Sequence, residues 1–373
     1  MGCPEASQPE RLGSGAATKL RALLAQLRTT DAGLDETLCA ELDLLAFHCV
    51  VTRRKGRAPS SPSIHAYMAA LANNIPLRRT LLQAAAALAS AGVRAIVYKG
   101  QDYLERIYGE LAGRAMADVD LLVPEAELAH AEQALLAAGF HADQQCKLMH
   151  ERKFCKDGVA IDLHHALLQP ARMVVPHEDL FARAQPCGFA PGLWVLEATD
   201  ALLVHCVNQT VKGYYLPPSS YLELQALLER ADVERALQRA RHWRAQSALY
   251  CSLEVLGRLG HPTAGSLARR VGISSQRRLM LDQLITRFAL QSLLRPQPAR
   301  ATMLALKSSL IDDPANVLRF VPRWLSWQSP WKPPRPLLAA PTPSPATSWQ
   351  TTRTSTVRAE SSCAPWSTPH PSC

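Results

Sequence analysis

The sequence predicts an α+β protein in which a group of short strands lies between two helical regions. Apolar residues recur with helical spacing over long stretches before residue 91 and again after residue 165. Between these stretches, short apolar runs rich in Val and Ile are separated by Gly and Pro, as is typical of strands and turns. Beyond residue 331 the chain is dominated by Pro, Ser and Thr, which predicts a disordered tail.

The first helical region is expected to contain several helices followed by the first strand. Helical patterns occupy residues 17–53 and, after a polar segment, residues 64–90. Pro76 lies inside the second pattern and is expected to break or offset that helix. Ala91-Gly92 ends it, and the run from Val93 to Tyr98 predicts a strand.

The middle of the chain alternates turns, strands and one helix. A glycine turn and a helix are expected after Tyr98, followed by the strand that contains Asp118 and Asp120. Pro124 ends this strand and opens a helix over 125–138. Candidate strands follow at 140–144, 148–156 and 159–164, with a hairpin at Asp157-Gly158, and helices are expected at 177–183, 197–208, 221–228, 233–245 and 248–259.

The acidic pair is the most informative feature of the sequence. Side chains alternate between the two faces of a strand, so Asp118 and Asp120 are expected to point the same way. Two neighbouring anions on an apolar strand repel each other and are costly to desolvate. A divalent cation removes this cost, and carboxylate oxygens suit Mg²⁺.

A third carboxylate strengthens this interpretation. Asp162 lies near the end of a short apolar strand. Three carboxylates on neighbouring strands can hold two metal ions for an in-line phosphoryl displacement, and the third can take the proton of an attacking hydroxyl. The alternative is that the acids are solvated strand ends or turn residues, as most isolated Asp-x-Asp pairs are.

The order of these motifs resembles a known family of enzymes. Lys-Gly, then Arg-x-x-x-Asp-x-Asp-Leu-Leu-Val, a helix ending in Gly-Phe, and Ile-Asp-Leu-His are similar to the nucleotidyltransferases of the DNA polymerase β superfamily, and more narrowly to the bacterial branch labelled "uncharacterised nucleotidyltransferase". The motifs occupy residues 96–165, and weaker similarity extends over 63–327. The resemblance implies a small mixed β-sheet flanked by helices, with the site at one edge.

The resemblance also implies roles for individual residues. The acidic pair maps onto Asp118 and Asp120, and the third acid maps onto Asp162. The turn that approaches the triphosphate in the family is Lys99-Gly100-Gln101 here, and it lacks the family's usual serine. Arg114 falls where the branch has a basic residue before the acidic pair.

The chemistry of these residue types agrees with that mapping. Gly100 allows a close backbone approach, and a helix over 102–108 would direct its positive N-terminal end towards phosphate. Lys99 supplies a point charge, and the guanidinium of Arg114 can grip phosphate bidentately. The alternatives are a solvated lysine for Lys99 and a structural ion pair for Arg114, with Asp118 or Glu110 as partner.

Two histidines follow the third acid. His164 is expected on the same side as Asp162, where it can orient a carboxylate, contact phosphate or donate a proton; a buried histidine satisfied by the backbone is the alternative. A zinc site is not expected, because no cysteine or histidine spacing of the usual kind surrounds His164 and His165.

Composition restricts the class of protein. The 373 residues carry a net charge of +9, a mildly basic balance that suits a nucleoside triphosphate, and no basic patch interleaved with aromatic residues indicates nucleic acid. The ten scattered cysteines lack a C-x-x-C pair and are expected to be reduced thiols of a cytoplasmic protein. No apolar run is long enough to predict a membrane span.

Together these observations predict a nucleotidyltransferase that uses magnesium, with two ions expected and Mn²⁺ as an alternative metal. It would move a nucleoside monophosphate from a nucleoside triphosphate, with ATP expected, to an unidentified acceptor. An Asp-x-Asp glycosyltransferase and a non-catalytic nucleotide- or partner-binding module are the alternatives. The predicted domains are an N-terminal helical region at 1–62, the catalytic core at 63–170, a mainly helical domain at 171–330 and the tail at 331–373.

Overall fold

The computed structural model describes residues 15–28, 33–148, 150–168, 173–285 and 300–326, and it is a mixed α/β structure. The tail predicted at 331–373 lies outside the described residues. Within the described ranges the chain forms fifteen α-helices and a seven-stranded sheet, so the predicted α+β class is confirmed. None of the helices in these ranges combines the length and the apolarity that a membrane crossing requires.

Four helices precede the sheet, and the fourth is its main scaffold. This helix, α4, begins after Ser60, whose side chain accepts a hydrogen bond from the Ser63 amide. It runs unbroken through Pro76, so the predicted break was wrong. Pro76 and Ala72, whose carbonyl loses its helical partner, are both exposed, and water can hydrate that carbonyl. The bounds are α1 Gly15–Arg28, α2 Glu36–Glu41, α3 Leu45–Arg54 and α4 Ser61–Ser90.

The sheet is mixed, as the resemblance implied. Its strands are β1 Ala95–Val97, β2 Val119–Leu122, β3 His141–Leu148, β4 Glu151–Lys156, β5 Val159–His164, β6 Gln185–Pro186 and β7 Leu193–Val195. Their order across the sheet is β3-β4-β5-β2-β1-β7-β6. The pairs β2–β5 and β1–β7 are parallel, and the other neighbours are antiparallel.

The two faces of the central strands differ sharply in polarity. Val119 and Leu121 of β2, and Ile161 and Leu163 of β5, are fully buried and belong to the hydrophobic core. The residues that alternate with them include the acids, because side chains change face at every position. The central strands therefore present one apolar and one charged face.

The β3–β4–β5 region differs in detail from the prediction. Two strands were expected at 140–144 and 148–156. In the structure the first strand, β3, extends to residue 148, and the second, β4, begins at residue 151. No Gly or Pro marks this reversal, so the local sequence does not show it. The hairpin at Asp157-Gly158 is confirmed, and both residues have positive φ, 51° and 78°, as a tight two-residue turn requires.

The remaining helices connect the strands and form a second group after the sheet. Helix α8 packs against α9, α10 and α11, and α9 also contacts the π-helical turn Leu104–Tyr108 that follows α5. A single 3₁₀ turn at Glu125–Glu127 precedes α6. The bounds are α5 Gly100–Tyr103, α6 Leu128–Ala137, α7 His177–Arg183, α8 Ala198–Val211, α9 Ser219–Leu228, α10 Val233–His242, α11 Gln246–Arg258, α12 Ala264–Arg270, α13 Ser275–Leu284, α14 Arg300–Ser309 and α15 Pro314–Ser326.

Asn74 of α4 holds the loop that leads into the acidic strand. Its fully buried side chain donates to the carbonyls of Leu111 and Arg114 at 2.6 and 2.7 Å and accepts from the Met116 amide at 3.0 Å. The neighbouring Asn73 donates to the Met116 carbonyl at 2.7 Å. Since Asp118 follows directly, this helix fixes where the acidic pair begins.

Replacing Asn74 should therefore destabilise the protein. Asn74→Ala removes the side-chain partner of two loop carbonyls and of the buried Met116 amide, and we expect the free energy of unfolding to fall by about 3 kcal/mol. Asn73→Ala removes two bonds from a half-buried site, one to the Met116 carbonyl and one to Oδ1 of Asn74, but leaves the three bonds of Asn74 to the loop, and it should cost about 1 kcal/mol. Denaturant unfolding measures both; equal losses for the two variants would contradict this role of Asn74.

Candidate active site

Three aspartates converge on the charged face of the sheet. Asp120 and Asp162 are direct neighbours in the parallel β2–β5 register, and Asp118 lies two residues before Asp120. Burial raises the pKa of Asp118 to about 6, and the negative charges of Asp120 and Asp162 add to this increase. The predicted acids therefore share one electrostatic environment.

Asp120 has two nitrogen partners, a lysine and a histidine. Lys99 Nζ lies 3.4 Å from its Oδ1, and His164 Nε2 lies 3.0 Å from the same oxygen. Burial alone would raise the pKa of Asp120, but the charge of Lys99 and the hydrogen bond from His164 outweigh it and hold this pKa below its ordinary value. Asp120 is consequently an anion at neutral pH.

Asp162 is paired with a residue that the sequence reasoning missed. Lys153 of β4 faces Asp162 across the antiparallel β4–β5 pair, and its Nζ lies 2.7 and 2.8 Å from the two carboxylate oxygens. A metal ion at Asp162 would share the carboxylate with this ammonium or displace it. The alternation of Glu151 and Lys153 in β4 placed both on one face, but only the register places them beside the acids.

The donor atoms fit a divalent cation. One oxygen each of Asp120 and Asp162 and one nitrogen of His164 all lie within 4.8 Å of one another, and the two carboxylates remain as ligands when His164 donates from Nε2 to Asp120. Among the described residues, Asp118 does not belong to this group of ligand atoms. The charges of Asp120 and Asp162 nevertheless raise the pKa of Asp118. Carboxylate oxygens are the ligands that Mg²⁺ prefers, and a cation relieves the repulsion among the acids.

The turn before α5 has an unusual backbone. Lys99 adopts φ 56° and ψ −136°, a conformation that is costly for a residue with a side chain and that recurs at functional sites. The helix begins at Gly100, two residues earlier than expected, and a Cβ at Gly100 would lie 1.8 Å from Cε of Met116. A side chain at this position would therefore require the terminal methyl of Met116 to move.

Arg114 is engaged by a helix beyond the sheet. Its Nε lies 2.6 Å from Oε1 of Glu223 in α9, and the Tyr108 hydroxyl donates to the same oxygen at 3.2 Å. Burial opposes the charge on Arg114, but Glu223 outweighs it, so the pKa of the guanidinium is raised. The ion pair considered from sequence exists, with Glu223 as partner instead of Asp118 or Glu110. A phosphate contact for Arg114 remains a prediction.

Lys212 is a second residue that sequence reasoning missed. It follows α8 directly, and its side chain remains accessible to water. Partial desolvation lowers the pKa of its ammonium, Lys99 lowers it further, and Asp120 and Asp118 oppose these effects. The ammonium of Lys212 therefore lies within electrostatic range of the carboxylates. Its helical context gave no indication of this, because the sheet and α8 are distant in sequence.

The comparisons with known proteins support the family resemblance. The family model described as "Uncharacterised nucleotidyltransferase" matches residues 41–260, which include all the site residues above. The chain belongs to this nucleotidyltransferase family. No curated protein and no solved structure gives a significant match.

A buried acid in α5 makes the stability of this region depend on pH. Asp102 is 2% exposed and lies 3.1 Å from Nε of Arg106. Burial raises the pKa of Asp102 to about 6, and Arg106 only partly offsets this. Because the folded-state pKa lies above that of the unfolded chain, the protonated form stabilises the fold.

The free energy of unfolding of the wild type, relative to that of Asp102→Asn, should therefore rise as the pH falls. Between about pH 7 and pH 4 we expect the wild type to gain about 2–3 kcal/mol over the variant, since one pKa unit corresponds to about 1.4 kcal/mol. The gain is complete below the unfolded-state pKa and is lost as the pH rises through 6. Urea unfolding of both proteins at several pH values measures it; parallel pH curves would contradict it.

Proposed function

We propose that the protein is a metal-dependent nucleotidyltransferase. It transfers a nucleoside monophosphate from a nucleoside triphosphate, with ATP as the expected donor, to an acceptor and releases pyrophosphate. The observation that carries the proposal is the side-by-side placement of Asp120 and Asp162 on parallel strands, with Asp118 coupled to both. Membership of the nucleotidyltransferase family supports the same reaction class over the glycosyltransferase alternative.

Asp118, Asp120 and Asp162 would hold the metal, with two Mg²⁺ ions expected and Mn²⁺ as an alternative. Their donor chemistry fits, as three carboxylates meet on one face. Bound metal neutralises charge on the phosphates and on the reacting oxygens. His164 donates a hydrogen bond to Asp120 and holds that carboxylate in one orientation.

The basic residues around the acids would bind the triphosphate. Lys99 lies against Asp120, and Lys212 couples electrostatically to the same carboxylate, so both ammonium groups border the site. Arg114 is held in place by Glu223, which leaves the remaining guanidinium edge for phosphate. Gly100 begins the helix beside this cluster.

The proposed transfer exchanges one bond at the α-phosphorus for another and moves one proton. The acceptor oxygen forms a bond to the α-phosphorus while the bond from the α-phosphorus to the bridging oxygen breaks, and pyrophosphate takes that electron pair. The acceptor proton passes to Asp162, whose negative charge is balanced by Lys153. Positioning and charge neutralisation supply the rate enhancement.

The acceptor class is open, and a small molecule, a peptide, a protein or an RNA end each has the required hydroxyl or phosphate. We propose a cytoplasmic location, because the cysteines within the described ranges are free thiols, five of them buried and one exposed.

Removing one metal-binding acid should abolish turnover. We expect Asp120→Asn to lower magnesium-dependent pyrophosphate release from ATP by about 100-fold or more, because an amide is a poorer ligand and leaves Lys99 uncompensated. Asp157→Asn is the matched control, since it changes an exposed acid at the β4–β5 turn where Asn is equally suited.

The assay combines pyrophosphate release with mass spectrometry of a cell extract incubated with protein and each nucleoside triphosphate. A nucleotide adduct that requires Mg²⁺, disappears with chelator and is lost in Asp120→Asn establishes the reaction and identifies the acceptor. Nucleotide binding without any product, or full activity of Asp120→Asn, would overturn the proposal.

Lys212 should act on substrate binding. Lys212→Met removes a charge that borders the site, and we expect KM for the triphosphate to rise about tenfold while the fold is unchanged. Lys19→Met, a lysine of α1 that pairs with Glu41, is the control. Steady-state kinetics at saturating Mg²⁺ measures both, and an unchanged KM for Lys212→Met would exclude Lys212 from the triphosphate site.

A further inference from the structure

A second group of ligand atoms lies beside the aspartates, towards β4. It consists of His150, Glu151 and His164, and we call it the imidazole–carboxylate group. One ligand atom from each of the three lies within 4.8 Å of the others. The proposed nucleotidyl transfer uses neither His150 nor Glu151, so their convergence needs a separate explanation.

The backbone fixes these three residues firmly. Glu151 and His164 are direct cross-strand partners in the β4–β5 register. His150 stands one residue before β4, and its carbonyl accepts hydrogen bonds from the amides of His165 and Ala166 at 3.1 and 3.3 Å. The ligands therefore come from both sides of the hairpin, which is why local spacing around His164 did not predict a metal site.

The distances within the group fit a metal ion better than hydrogen bonds. Oε2 of Glu151 lies 3.5 Å from Nε2 of His150 and 3.5 Å from Nδ1 of His164. Both exceed the usual hydrogen-bond range of about 2.7–3.2 Å. They agree with the separation of about 3.4 Å between ligand atoms that each lie about 2.1 Å from a tetrahedral ion.

The two nitrogens of His164 face different partners. Nε2 lies 3.0 Å from the anionic Asp120, which favours a proton on that nitrogen. In the neutral ring Nδ1 then carries the lone pair; this atom is buried and has no hydrogen-bond partner within the described part of the chain. A histidine that donates from one nitrogen to a carboxylate and binds metal with the other is the usual arrangement at zinc sites.

Neighbouring side chains orient Glu151 and His164. Glu151 turns Oε1 towards Lys153 at 3.8 Å and Oε2 towards the histidines, so its two oxygens have separate environments. The ring of Tyr98 packs edge-on against His164, with centroids 5.5 Å apart, and limits rotation of the imidazole. Both Glu151 and His164 are less than 7% exposed.

We propose that the imidazole–carboxylate group binds one divalent transition-metal ion, with Zn²⁺ as the best fit. His150, Glu151 and Nδ1 of His164 supply three ligands, and water completes the tetrahedron. Two imidazoles and a carboxylate select zinc over Mg²⁺, which prefers oxygen ligands. The ion holds His164 in the tautomer that donates to Asp120. This site is separate from the proposed magnesium site and does not depend on the proposed function.

Cobalt(II) is the probe that distinguishes the two sites. Metal-free protein is first saturated with Mg²⁺, which fills any site that prefers oxygen ligands, and is then titrated with Co²⁺ while d–d absorption is recorded. Four- or five-coordinate Co²⁺ absorbs intensely, whereas octahedral Co²⁺ absorbs weakly. We expect one intensely absorbing Co²⁺ per chain, displaced by Zn²⁺, with about 100-fold weaker binding in His150→Ala and in the near-isosteric Glu151→Gln.

His141→Ala, which removes an exposed histidine of β3, should bind Co²⁺ as the wild type does. Circular dichroism confirms that each variant is folded, and His150→Ala affects a residue outside the strands. Absence of the intense absorption in the wild type would overturn the proposal and indicate that a proton joins Glu151 and His164. Equal Co²⁺ affinity in the folded His150→Ala and Glu151→Gln variants would overturn it as well.

Discussion

Repulsion among carboxylates is the constraint on which the rest of this structure depends. Two like charges about 4 Å apart cost about 4 kcal/mol at the effective dielectric constant near a protein surface, and the sheet register brings several such charges to one face. Lys99 and Lys153 each compensate one acid directly. The strained backbone of Lys99, worth about 1–3 kcal/mol, is tolerated because it places the ammonium on Asp120 and starts α5 immediately afterwards.

The scaffold around the acids is polar as well as apolar, and it links distant parts of the chain. Asn74 of α4 makes three hydrogen bonds to the backbone of the loop before β2. The position of the acidic pair therefore depends on a helix that ends before the sheet begins. On the other side, Glu223 of α9 binds both Arg114 and Tyr108. A buried carboxylate paired with an arginine is worth little as net stability, but it fixes geometry, since removing either partner leaves an uncompensated charge.

Much of this could be predicted from the sequence wherever the information is local. Strand alternation predicted Asp118 and Asp120 on one face, although β2 begins one residue after Asp118, and Asp157-Gly158 predicted its hairpin. The strands of the three acids were assumed to be neighbours, but no local pattern encodes the parallel pairing of β2 with β5. Lys153, Glu151 and Lys212 were missed for the same reason: each acquires its role from register or tertiary packing. Pro76 misled the prediction because its cost depends on whether the freed carbonyl faces water, and exposure is a property of the fold.

His164 connects the two sites, and this connection sets how they interact. One imidazole cannot turn to serve Glu151 better without weakening its hydrogen bond to Asp120, because Tyr98 packs against the ring and the backbone is held in β5. An ion on Nδ1, if the proposed site binds one, would act on Asp120 through a rigid ring: it would withdraw electrons from the imidazole, strengthen the Nε2 donor and make Asp120 a weaker base. The carboxylate would then stay charged and oriented for the proposed magnesium ion, and the charged face would be stabilised without another lysine.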